Sequence, residues 1–191
     1  MIPNDQYYDK AYNRSWNGLT IISISIGQGE VTATPLQIAN LGATIANRGY
    51  FITPHVVKEV EGDSLDSLYT QKRYTKVRRE HYETVVQGMR QAVLGGTCRG
   101  ADLPGIEVCG KTGTAQNRGK DHSAFMGFAP MKEPKIAVAV YVENGGWGAT
   151  YGVPIGALIM EKYLNGSLSA ESELKAQDIQ KRRIDYGIHE R

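Results

Sequence analysis

Lys111-Thr112-Gly113-Thr114 is the segment whose residue types and spacing offer the most chemistry. On a strand, Thr112 and Thr114 share one face and Lys111 and Gly113 the other. Two hydroxyls and an ammonium on so short a stretch suit a carboxylate, with charge-assisted hydrogen bonds of about 1.5–3 kcal/mol each. Gly113 has no side chain to obstruct a ligand lying along the strand. The Thr114 N–H is placed to meet a developing oxyanion. The same lysine and threonine also close Gly105-Ile106-Glu107-Val108-Cys109-Gly110-Lys111-Thr112, a complete phosphate-loop pattern GxxxxGK[ST]. That mechanism needs a glycine-rich loop opening a helix whose N-terminus faces phosphate. Ile106, Val108 and Cys109 favour a strand instead, and Gly113–Gly119 is a poor helix start. Nucleotide binding is therefore the remotest alternative.

The elements around this segment read as follows. Residues 106–116, 123–129 and 136–143 are expected strands. The loop 117–121 and the turn 130–134 are short enough for antiparallel hairpins. Thr34 and Pro35 open a helix carrying an apolar stripe of Leu36, Ala39, Ala43 and Ala46, which Gly49 ends. A second helix carries Tyr82, Val85, Val86, Met89, Ala92 and Val93 at helical spacing and stops at Gly95-Gly96. A last helix is expected from about 149 to 164, with Asn165-Gly166 as its stop. Residues 19–26 (LTIISISI) read as a buried strand or an extended lead into Gly27-Gln28-Gly29. Residues 51–60 read as an extended pair broken at Pro54, and 61–78 as an exposed loop or hairpin. Residues 1–18 show no clear period. The order predicts an α+β fold, a three-stranded antiparallel sheet covered by helices. Residues 1–166 form its body, and 167–191 a charged tail that reads as a surface helix or a disordered segment.

Composition narrows the function classes. Among 191 residues, 22 are basic and 20 acidic, so the net charge of +2 gives no global pull toward nucleic acid or anionic lipid. No run of about eighteen apolar residues exists to cross a membrane. Cys98 and Cys109 make no disulfide framework, and two unpaired small apolar residues are the simpler reading. His55, His81, His122 and His189 lack metal-ligand spacing. His122 reads as a solvated loop histidine that stands near any cleft along Lys111–Thr114. Trp147 reads equally as a cleft wall or a rim aromatic. No metal or organic cofactor is implied. The opening Ile2-Pro3-Asn4-Asp5 reads as the interior of a loop, so a longer parent protein is expected.

Three stretches carry a resemblance: Ile26-Gly27-Gln28-Gly29 with Thr32–Gln37, Ala46-Asn47-Arg48-Gly49, and Lys111–Gln116 followed by Ala124–Pro130. Together, over roughly residues 15–165, they resemble class B penicillin-binding proteins of the type that works in rod elongation. Lys-Thr-Gly is also one of three elements of serine acyl-transfer enzymes. The resemblance implies part of a transpeptidase domain with the penicillin-binding and β-lactamase-like fold. It implies that Lys111 sets protonation in the catalytic network and that Thr112, Gly113 and Thr114 bind the substrate or penicillin carboxylate. The Thr114 N–H would complete the oxyanion hole, and Gly27 and Gly29 would shape a turn. The implied partners are the peptidoglycan stem peptide, β-lactam antibiotics and elongation-complex proteins. The implied place is the periplasmic face of the inner membrane, on an anchor outside this chain. A serine β-lactamase-like enzyme and a non-catalytic binding module are the alternatives.

In that family the nucleophilic serine and its Ser-x-x-Lys lysine precede the other motifs. Ser172-Glu173-Leu174-Lys175 fits the letters but follows Lys111, and Ser15-Trp16-Asn17 sits just before the glycine turn. Both are chance matches, and the isolated chain is expected to lack the nucleophile. Incubated with a labelled penicillin, the 191-residue chain is expected to show no covalent adduct by intact-mass measurement. A stoichiometric adduct on Ser15 or Ser172 would contradict this.

Overall fold

The computed structural model describes residues 2–184 and 186. Its backbone forms two compact units, divided between Thr34 and Pro35.

The first unit is built on α1 (Asp5–Ala11) and α2 (Gly18–Ser25). The side chain of Asn4 accepts the Tyr7 N–H and starts α1, an element the aperiodic sequence does not announce. Tyr8 and Tyr12 both donate their hydroxyls to Glu30, and the Trp16 indole N–H donates to Asp9 at 2.7 Å. Residues 19–25 lie in α2 and Ile26 is its C-cap, contrary to the buried strand or extended lead expected over 19–26. Asn17 and Thr20 form a reciprocal capping box at its start, and the segment takes up helical hydrogen bonds where no described strand offers a ladder. Gly27 and Gly29 follow with φ of +79° and +76°, and a Cβ at Gly29 would lie 2.5 Å from Ser23 Oγ. Only glycine fits that turn.

The second unit carries the sheet. Strands β3 (Cys109–Ala115), β4 (His122–Ala129) and β5 (Ile136–Val142) pair antiparallel in that order, as the hairpin spacing predicts. Register pairs Gly110 with Gly127, Thr112 with Phe125 and Thr114 with Ser123. One face packs against α5 (Gly152–Asn165), through Phe125, Ala129, Val138, Val153, Ala157 and Met160. The other meets α3 (Pro35–Ala46) and α4 (Arg79–Leu94), through Ala46, Val86, Met89, Cys109 and Phe128. The Leu36 end of the expected α3 stripe is exposed. Gly42, Thr44 and Ala46 are instead buried, and a Cβ at Gly42 would stand 3.2 Å from Met126 of the sheet. The expected pair over 51–60 shrinks to β1 (Tyr50–Phe51), which closes on β2 (Arg73–Tyr74) and leaves residues 52–72 as a long excursion. Beyond the left-handed Gly166 that ends α5, residues Ala170–Lys181 form α6.

The packing of α5 turns on Phe125, which is 2% exposed. Side chains at Gly110 and Gly127 would each come within 2.6 Å of its ring, and one at Gly156 would overlap it. Three positions without side chains thus make one socket for one ring. Gly127→Ala is expected to destabilise the chain by about 1–3 kcal/mol through overpacking. Gly88→Ala, on α4 with nothing within 4 Å of the added methyl, is expected to stabilise by about 0.4–1 kcal/mol. Urea unfolding of both variants reads the two signs against each other.

Candidate active-site cleft

Strand β3 is an edge strand, and a cleft of about 560 Å³ runs beside it. Lys111, Thr112 and Thr114 line one wall, Gly96–Thr97 and Arg99–Gly100 a second, and Trp147, Gly148 and Ala149 a third. The sequence-predicted Lys111, Thr112 and Thr114 therefore meet at one cavity, with Gly113 between them on the same strand. Two cations, Arg99 and Lys111, and three threonines line it, and no acidic residue is among its lining residues. An anion is the ligand this composition favours. Because Lys111-Thr112 lies inside a strand rather than at the start of a helix, the phosphate-loop pattern over 105–112 lacks its anion-binding geometry.

The strand wall is ordered by short polar contacts. Lys111 Nζ donates to the Thr112 carbonyl at 2.7 Å, and the Thr112 and Thr97 hydroxyls are 2.7 Å apart. Thr97 follows the glycine stop of α4 and precedes a single 3-10 turn at Arg99–Ala101, which brings Arg99 to the rim. Arg90 on α4 donates to the Val108 carbonyl at 3.0 Å, fixing the approach to β3.

The third wall is held by one buried hydroxyl. Ser123, fully buried on β4, shares its proton between the carbonyls of Trp147 (2.8 Å) and Gly148 (3.2 Å) and accepts the Gly152 N–H at 3.0 Å. The Gly148 N–H donates to the Thr114 hydroxyl at 3.3 Å. A Cβ at Gly148 would lie 2.5 and 2.6 Å from the carbonyls of Gly113 and Ala124, so the backbone itself packs flat on the hairpin. Trp147 stands on the cleft wall and is 76% exposed.

Sequence reasoning did not find Thr97, Arg99 or Ser123. A serine at an inward position of an otherwise apolar strand was the available signal for the last. His122 opens β4, where its Nδ1 accepts the Asn144 N–H at 2.9 Å, and it is not among the lining residues. Of the two chance serine matches, Ser172 is buried on α6 and Ser15 donates to the Tyr12 carbonyl. The thiols of Cys98 and Cys109 are free and buried. Burial pushes Cys109 up to about 11 against the opposing pull of Arg90 and Arg48, and it raises Cys98 as well. Neither is an activated nucleophile.

A Lys-Thr-Gly edge strand beside a cleft lined by two cations and no acid, backed by helices on both faces of the sheet, defines a class. The chain belongs to the penicillin-binding protein transpeptidase domain family, whose profile matches residues 4–163. Within that family it is similar to the peptidoglycan D,D-transpeptidases MrdA and PbpA. It is 35% identical to the peptidoglycan D,D-transpeptidase MrdA of Haemophilus influenzae, over 87% of this chain and 29% of that protein. The crystal structure of Pseudomonas aeruginosa PBP2 in complex with WCK 5153 superposes with a TM-score of 0.72 at 36% identity. It covers 88% of this chain and 38% of the other. The imipenem acyl-enzyme complex of penicillin-binding protein A from Mycobacterium tuberculosis gives 0.62 at 34% identity, over 74% and 33%. The chain thus spans about three-tenths of the length of the curated relative.

Replacing Ser123 by alanine leaves the Gly152 N–H and two carbonyls without their shared partner. The cost is expected at about 1–3 kcal/mol, read by urea unfolding.

Proposed function

We propose that this chain supplies one side of the active-site cleft of a peptidoglycan D,D-transpeptidase, and that a longer protein supplies the serine. The observation that carries this is the cleft beside β3, where Lys111, Arg99, Thr112 and Thr114 converge with no acid lining it. In this reading the terminal carboxylate of a D-Ala-D-Ala stem peptide lies on the Thr112 and Thr114 hydroxyls, near Lys111. An edge strand also suits an extended peptide, which lies along it and pairs with its backbone.

The serine oxygen attacks the carbonyl of the penultimate D-alanine. The carbonyl oxygen takes the negative charge, and the Thr114 N–H donates to it as part of the oxyanion hole. Collapse of the tetrahedral intermediate forms the acyl-enzyme and expels the terminal D-alanine, whose nitrogen takes the proton that the serine hydroxyl gave up on attack. An amine from a neighbouring strand then attacks the acyl carbonyl, forms the cross-link and frees the serine. Lys111 biases the protonation of this network by its charge. A β-lactam acylates the same serine, with its own carboxylate in the place of the peptide's.

Residues 1–166 are the C-terminal part of this transpeptidase domain, and the charged segment 167–191 is an appendage to it. Leu19, Ile22 and Ile26 on and just after α2 are exposed, apolar surface that the remainder of a larger domain would cover. No helix among the described residues is long and apolar enough to cross a membrane. The working location is the periplasmic face of the inner membrane, on an anchor outside this chain, among the proteins of the elongation complex.

The test uses the full-length transpeptidase that carries this chain. Thr114→Val keeps the shape of the strand and removes one carboxylate donor. The second-order rate of acylation by a labelled penicillin is expected to fall about 10- to 100-fold, the loss of one charge-assisted hydrogen bond. Acylation at the wild-type rate would sink the assignment of Thr114.

A further inference from the structure

The family match ends at residue 163, and α6 lies beyond it, yet both ends of α6 are tied to the rest of the second unit. At its start, Glu161 of α5 accepts the Ser169 N–H at 3.0 Å. A carboxylate there faces the positive end of the helix dipole. Burial alone would raise the Glu161 carboxyl, but hydrogen bonds from Ser172 and Ser169 and the charge of Lys175 hold it below its ordinary value.

At the far end, Arg182 follows the last helical residue. Its Nε and Nη2 donate to Asp178 at 3.0 and 2.7 Å, and its Nη1 donates to the Thr150 carbonyl at 2.7 Å. The guanidinium also sits over the Tyr151 ring, 5.5 Å from its centroid. Asp178, one turn back, orients the planar fork so that its other side meets the carbonyl.

Thr150 follows Ala149, the last residue of the third wall, and its N–H donates to the Trp147 carbonyl at 2.8 Å. That carbonyl is one of the two that receive the Ser123 proton, and the next residue, Gly148, donates to Thr114. Trp147, Ala149 and Thr150 are exposed while Gly148 between them is buried on the hairpin, so polar contacts add to the packing of that one glycine in holding this segment.

We propose that α6 is a strap on the cleft, and that Arg182 is the positioning residue that sets where Trp147, Gly148 and Ala149 stand across from Lys111–Thr114. Arg182 touches no reacting group and acts through the Thr150 carbonyl. The inference rests on the transpeptidase reading of the cleft, and it assigns the charged tail a part in that site.

The experiment measures hydrogen exchange and penicillin acylation on the full-length transpeptidase carrying Arg182→Ala, Arg182→Lys or Asp178→Asn. In Arg182→Ala, exchange of the 146–152 amides is expected to quicken about 3- to 10-fold, the loss of a charged hydrogen bond discounted for its exposure. Exchange in β4 and the body of α5 stays as in the wild type. The half-saturating penicillin concentration rises by a similar factor, while the limiting acylation rate stays within about twofold. Arg182→Lys, which keeps the charge without the fork, falls between. Asp178→Asn removes no packing volume and moves the same amides in the same direction, so the test survives a poorly folding alanine variant.

Unchanged exchange at 146–152 in both Arg182→Ala and Asp178→Asn would overturn the strap. Exchange quickened equally throughout the second unit would overturn it too, as would a loosened segment with unaltered acylation. If the wild type itself is not acylated, the transpeptidase reading fails, and the exchange pattern alone decides whether Arg182 fixes the segment.

Discussion

The Phe125 ring and the three glycines that surround it set the geometry from which the cleft follows. Gly110 and Gly127 face each other across β3 and β4, and Gly156 brings α5 down onto the same ring. An aromatic side chain buries a large apolar area, and here it does so only because three neighbours have no side chains. The close approach fixes the height of α5 above the sheet. Gly152, at the start of α5, would carry a Cβ 2.9 Å from the Ala124 carbonyl carbon, so the first turn of the helix is as tightly seated as its middle. The segment that leads into α5 must therefore cross the sheet where β3 and β4 meet.

That crossing makes a wall. Gly148 lies flat on the backbone of Gly113 and Ala124, Ser123 binds two of the wall's carbonyls from beneath, and Thr114 receives the Gly148 N–H. Thr114 thus belongs to the cleft and to its support. Apolar packing places the helix, and a small set of hydrogen bonds then trims the position of an exposed loop. Such loops lie at the low end of local stability.

Where local chemistry decides, the sequence was readable. The strands β3 to β5 followed from alternation and short links, and α4 followed from Tyr82, Val86, Met89 and Val93 at helical spacing before Gly95. The end of α5 followed from Asn165-Gly166. The run LTIISISI was misread because β-branched residues fit either state, and the capping box of Asn17 and Thr20 decides for helix. The start of α1 was missed for a related reason, since a seven-residue helix with one cap and an aromatic cluster has no usable period. At the cleft, Lys111, Thr112 and Thr114 were legible as a motif. Thr97 and Arg99 were not, because they arrive by the return of the α4 exit loop onto β3, a contact no spacing encodes. Ser123 was hidden in an apolar strand, and Arg182 in a tail that looked merely charged.

In the proposed site a carboxylate lies on the Thr112 and Thr114 hydroxyls beside Lys111. A crystal structure of the full-length transpeptidase acylated by a penicillin tests it most directly. The antibiotic carboxylate is expected within hydrogen-bonding distance of both hydroxyls, with its acyl carbonyl oxygen on the Thr114 N–H. A carboxylate held elsewhere in the cleft, on Arg99 alone for example, with both threonine hydroxyls turned away, would contradict it.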